Sequence, residues 1–127
     1  MTTALWCVLI AALLPYLFAV LSKSSKRFDN AAPRDYQEQS TGWRKRAHWA
    51  QLNSFEAFPT FAAAVLVAHL VAGPNATADH LAVAFIVARL VYGGLYVANK
   101  PTLRSLVWTI GIACVIGLFV VAGRAHA

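Results

Sequence analysis

The sequence predicts an all-α integral membrane protein, one bundle of four spanning helices. The chain has 127 residues and is 59% hydrophobic but only 13% charged, more apolar surface than a soluble domain of this length has to bury. Its charges are clustered, which leaves long apolar runs. Runs of roughly 18 or more such residues match the ~30 Å hydrocarbon core of a bilayer. They fall at Ala4 to Leu21, about Glu56 to Ala72, Leu81 to Ala98 and about Leu106 to Ala122. Residues 1–127 therefore read as a single membrane domain.

The first run has no positive segment before it; Lys23, Lys26 and Arg27 follow it instead. No small-x-small cleavage pattern follows either, so it reads as a retained span and not as a removed signal peptide. Pro15 lies inside it and predicts a kink, with neighbouring helices re-satisfying the freed carbonyl. A long connection of about residues 22–45, "SKSSKRFDNAAPRDYQEQSTGWRKR", carries the turn formers Asp29-Asn30 and Pro33. Ser40 or Thr41 is suited to cap a second helix running from about 42 to 72. At 1.5 Å per residue that helix is roughly 45 Å long. It exceeds a bilayer core, so its first three turns project into headgroups or cytosol. The turn "GPNATADH" separates the second and third spans. Arg89 alone interrupts the third, and "YGG" at Gly93-Gly94 inside it reads as close helix packing rather than a phosphate loop. The fourth helix begins after Pro101.

The formal net charge is +6, and its distribution sets orientation. The first connection holds Lys23, Lys26, Arg27, Arg34, Arg44, Lys45 and Arg46, and the last turn holds Lys100 and Arg104. The middle turn holds no Lys or Arg. Both basic segments are expected to face the cytoplasm and anionic lipid headgroups, with both termini on the other side; Arg124 is a minor exception. A nucleic-acid partner is disfavoured, because the basic residues lie within a few turns of the spans. Cys7 and Cys114 fall inside apolar runs and read as small buried hydrophobes. With no CxxC and with His48, His69, His80 and His126 scattered, no metal site is expected.

Helical spacing groups the remaining polar residues. Arg46, Trp49, Asn53, Glu56 and Thr60 form one stripe on the second helix. Arg89, Tyr92, Tyr96 and Asn99 form another on the third. The fourth helix places Arg104, Ser105 and Trp108 at the same level. An ionisable group inside a span is costly, so it faces the bundle interior or a wet cavity. One reading is structural: Glu56 and Arg89 neutralise each other as a buried pair that fixes register, the tyrosines anchor the interface and Arg104 snorkels. The other is a cationic, hydrogen-bonding cavity for a small, polar, anionic ligand.

At these residues the chain resembles a bacterial member of the MAPEG family, the membrane-associated proteins in eicosanoid and glutathione metabolism. "RAHWAQLNSFEAFPTF" is similar to the family's Asn-x-x-Glu with a nearby Pro, here Asn53, Glu56 and Pro59. "ARLVYGGLYVANKPTLRSLVW" is similar to its second motif, here Arg89, Tyr92, Tyr96, Pro101, Arg104 and Ser105. With the four-span layout, the resemblance covers essentially the whole chain.

The resemblance implies a homotrimer in the bacterial inner membrane, with glutathione as co-substrate bound between subunits near the cytoplasmic face. It implies a glutathione-dependent transferase or peroxidase acting on apolar electrophiles or lipid hydroperoxides. The alternative is a non-catalytic lipid-binding or scaffolding protein of the same fold. Carried over by position, Arg89 and Arg46 hold carboxylates, Glu56 meets the amine or a peptide N–H, and Asn53 fixes an amide. Tyr92 and Tyr96 cover the peptide. Arg104 and Ser105, the catalytic pair, hold the thiol as thiolate. The chain departs from the pattern at Trp49, where glutathione-active relatives commonly carry Arg. Arg46, one turn earlier on the same face, is the available substitute.

Overall fold

The computed structural model describes residues 1–125, so His126 lies outside the described residues. Five helices follow one another: α1 (Thr3–Ser22), α2 (Pro33–Gln39), α3 (Gly42–Ala72), α4 (Ala76–Val97) and α5 (Pro101–Arg124). Four of them, all except α2, are long and apolar enough to cross a membrane. The described residues form no strand. α1 packs on α3, α4 on α5, and α3 also meets α4 and α5. The C-terminus of α1, α2, the start of α3 and the α4–α5 turn share one end of the bundle, called here the basic end.

Small residues let the helices approach closely. Ala64 and Ala68 on α3 and Ala78 and Ala82 on α4 are buried in the main core, with Phe61 and Phe85 stacked 3.9 Å apart between the two helices. At the basic end Leu14, Phe18 and Ala50 form a second cluster, on which Tyr96 rests. Gly93 is required there: a Cβ at this position would fall inside the Phe18 ring. The neighbouring Gly94 faces open space, so Gly93 is the glycine of the pair that permits α1 and α4 to touch. α1 runs unbroken through Pro15, and α3 through Pro59.

The turns follow from local chemistry. Gly73 closes α3 at φ 67°, a left-handed conformation that glycine adopts without penalty. Asn75 then caps α4, its side chain accepting from the Ala78 N–H at 3.1 Å. Asn99 takes φ 58° at the end of α4, where Asn is the tolerated non-glycine residue. Pro101 starts α5 two residues later, at a position where a missing N–H costs nothing. This tight turn brings the first turn of α5 beside the last turn of α4.

The long first connection contains α2, where the turn formers suggested loop alone. Pro33 sits at the helix start, with Asp35 in the first turn to complement the dipole. Gln37 anchors this short helix. It is buried, and its Nε2 donates to Ser22 Oγ at 2.6 Å and to Gln51 Oε1 at 2.8 Å, tying α2 to α1 and α3. Thr41 occupies the N-cap position of α3 but its side chain makes no capping bond; the Ser40 hydroxyl donates back to the Gln37 carbonyl.

Candidate functional site

The two polar stripes meet at the basic end. Asn53 and Glu56 stand one turn apart on α3, and Asn53 Nδ2 donates to Glu56 Oε2 at 3.3 Å. Asn53 Oδ1 in turn accepts from Arg89 Nη2 of α4 at 2.7 Å. Arg89 is only 4% exposed. Its guanidinium also lies over the Tyr92 ring, 4.3 Å from the centroid. Among the described residues no hydrogen bond joins Arg89 to Glu56. The expected mutual neutralisation is therefore relayed: the amide of Asn53 stands between cation and carboxylate.

A buried guanidinium needs such company. The Asn53 carbonyl supplies a charge-assisted bond, of order 1.5–3 kcal/mol, and the tyrosine face about 0.5–2 kcal/mol more. Satisfaction is nevertheless incomplete. Among the described residues Arg89 Nε is buried without a hydrogen-bond partner, a free donor that calls for an acceptor.

From Arg89 a ladder of rings and cations leads to the basic end. Tyr92, also buried, meets Tyr96 edge to face with centroids 5.7 Å apart. Arg104 of α5 lies over the Tyr96 ring, 4.2 Å from its centroid. Trp49 of α3 leans on Tyr96 at 6.3 Å. Because Arg104 follows the tight Asn99–Pro101 turn, it faces back onto the last turn of α4.

Two cavities flank the Asn53–Glu56 pair. The deeper, about 310 Å³, is bounded by Arg89, Thr60, Phe85, Trp108 and Ile112 as well as the pair itself. The second, about 350 Å³, lies between the pair and Trp49, Leu52 and Tyr96. Glu56, Trp108 and Ile112 are exposed, so in the single chain the deeper cavity, lined from α3, α4 and α5, opens outward between them.

The sequence-derived residues thus divide. Asn53, Glu56, Arg89 and Tyr96 line these cavities, and Tyr92 backs Arg89. Arg104 joins through Tyr96. Arg46 is partly committed elsewhere: its Nε donates to the Val97 carbonyl at 2.9 Å and closes the end of α4. Ser105 lines neither cavity; its exposed hydroxyl donates to the Pro101 carbonyl at 3.1 Å. Phe85 and Ile112 have no polar group to mark them in the sequence, although Phe85 precedes Arg89 by one turn and Ile112 follows Trp108 by one turn. Facing apolar residues carry no chemical signal until the helices are placed.

Four apolar helices around a buried, incompletely satisfied cation define an integral membrane protein with a polar site near one end of its bundle. The sequence model of the MAPEG family matches residues 3–124. The chain belongs to that family, which includes glutathione transferases and peroxidases as well as non-catalytic members. Searches of curated proteins and of solved structures found no match.

Proposed function

We propose that the protein is a glutathione-dependent transferase or peroxidase for apolar electrophiles or lipid hydroperoxides. It acts as a homotrimer in the bacterial inner membrane, as one domain with both termini on the non-cytoplasmic side. The observation that carries this reading is the incompletely satisfied guanidinium of Arg89, a residue that lines the deeper cavity. A buried donor of this kind is suited to a carboxylate that arrives with a ligand, and glutathione brings two. Asn53 and Glu56 suit its amide and amine. Tyr96 offers a surface for the peptide, braced from behind by the buried Tyr92, and the Nη groups of Arg46 remain for the second carboxylate. A neighbouring subunit would close the exposed wall formed by Glu56, Trp108 and Ile112.

The chemistry asked of Arg104 is electrostatic. A free thiol with pKa near 8.5 is mostly protonated at neutral pH, and an adjacent cation favours the nucleophilic thiolate. Ser105 can donate to that thiolate only after releasing the Pro101 carbonyl. Its present bond favours the second reading, a non-catalytic lipid-binding or scaffolding protein. Calorimetry of the protein in lipid with millimolar glutathione separates the two. Saturable binding, lost in Arg89→Leu, supports the enzyme; no binding moves the assignment to the lipid binder. Native mass measurement of the same sample tests the trimer.

A further inference from the structure

A separate cavity of about 390 Å³ lies on the basic end. The segment after α1 supplies Ser25 and Arg27, α2 supplies Tyr36, and the entrance to α3 supplies Ser40, Thr41 and Arg44. Among the described residues no carboxylate lines it. Arg44 is held ready: its Nε donates to the Ser24 carbonyl at 2.9 Å, and its guanidinium lies 4.5 Å from the Trp43 ring centroid. Its Nη groups donate to nothing else among the described residues. Ser25 accepts from the Arg27 N–H at 3.1 Å, which fixes the turn carrying the second guanidinium. Tyr36 is steadied edge-on by Phe28 at 5.3 Å.

We propose that this cavity binds a phosphate group. Two guanidiniums offer forked donors that match phosphate oxygens, the hydroxyls of Ser25, Tyr36 and Thr41 add neutral donors, and no lining carboxylate competes. The uncapped first turn of α3 adds backbone N–H groups and the positive end of its dipole. Ser25 lies three residues beyond the end of α1 and Trp43 is exposed beside Arg44, a level at which lipid phosphates lie. The phosphate arrives either on a lipid headgroup or on a soluble phosphate ester.

The test is calorimetric titration of the full chain in neutral detergent with four probes: dihexanoyl phosphatidic acid, glycerol 3-phosphate, inorganic phosphate and dihexanoylglycerol. Saturable binding of a phosphate probe is expected, weakened about tenfold by Arg27→Gln or Arg44→Gln, the scale of one lost charge-assisted bond. Arg34→Gln, which removes the same charge from α2 outside the cavity, should change it less than about twofold. Arg44→Lys should retain only part of the affinity, since it keeps the charge but loses the fork. If Arg44→Gln lowers the unfolding temperature, Arg27→Gln decides, because Arg27 is exposed and its side chain makes no hydrogen bond among the described residues. Preference for the lipid over both soluble phosphates assigns the source to a headgroup; equal binding of glycerol 3-phosphate assigns it to a soluble ester. Equal losses from Arg34→Gln and Arg27→Gln would overturn the site, leaving diffuse attraction. Equal binding of dihexanoylglycerol, or no saturable phosphate binding, would also overturn it.

Discussion

Arg89 Nη2 donates to Asn53 Oδ1 across 2.7 Å, so the buried cation of α4 is met by a neutral amide and not by the nearby carboxylate. Asn53 passes the charge on, since its own Nδ2 donates to Glu56. Such a relay polarises each member. It also ranks the three residues: Asn53 is the member whose loss interrupts the chain.

Asn53→Leu is therefore expected to destabilise the protein by about 1.5–3 kcal/mol, the worth of a hydrogen bond to a charged group. Glu56→Gln, at an exposed carboxylate, should cost less than about 1 kcal/mol. Thermal unfolding in one fixed lipid–detergent mixture measures both. In double-mutant cycles with Arg89→Leu, the Asn53 coupling should exceed the Glu56 coupling. The opposite ranking would return Glu56 to the role of direct partner.

Gly93→Ala should cost about 1–3 kcal/mol, because the added methyl overlaps the Phe18 ring and forces α1 from α4. Phe18→Leu in the same chain should recover part of that loss. Gly94→Ala, facing open space, should be neutral or stabilising, since alanine is the better helix former. An equal cost at both glycines would mean that backbone flexibility, and not contact, is what matters.

On the proposed chemistry, Arg104→Leu should reduce the thiolate absorbance that appears when glutathione is added at neutral pH. The sign follows from charge. A cation near the sulfur lowers the bound thiol's pKa, so the thiolate persists as pH falls below the free value of about 8.5. Without Arg104 the acidic limb of the pH–rate profile, where thiolate is lost, moves to higher pH, and each unit of that movement is worth about 1.4 kcal/mol. An unmoved limb would remove Arg104 from the thiol chemistry.

Arg46 has two separable jobs. Its Nε closes α4 at Val97, so Arg46→Ala should cost about 1 kcal/mol of stability whether or not ligand is present. If its Nη groups also hold the glycine carboxylate, the same change should weaken glutathione but hardly affect an analogue lacking that carboxylate. Calorimetry with both ligands checks this, and Arg46→Lys should rescue poorly. Equal losses for the two ligands would leave Arg46 with the structural job alone.

The fold class was legible because four apolar runs broken by clustered charge admit few alternatives. The stripe spacing likewise grouped Asn53 with Glu56 on one helix and Arg89 with Tyr96 on another, since helical period alone decides which residues share a face. What period does not encode is the axial offset between two helices. That offset, and not sequence spacing, put Asn53 rather than Glu56 against Arg89, and turned the Arg46 Nε to Val97. The helix α2 was hidden because Pro33 reads equally as a turn former and as a helix start. Gln37 gave no warning that it would be buried, as its two partners lie 15 and 14 residues away in sequence.

The 31 residues of α3 make it about 46 Å long, some 16 Å more than a typical hydrocarbon core. Glu56 sits about 24 Å along the axis from the Ala72 end, hence roughly 6 Å inside the opposite boundary if that end is flush with the core and the helix upright. A bilayer about 6 Å thinner would lift the carboxylate to the boundary, and a thicker one would bury it deeper unless the bundle tilted in response. Acyl-chain length thereby acts as a dial on the hydration of the Asn53–Glu56 pair.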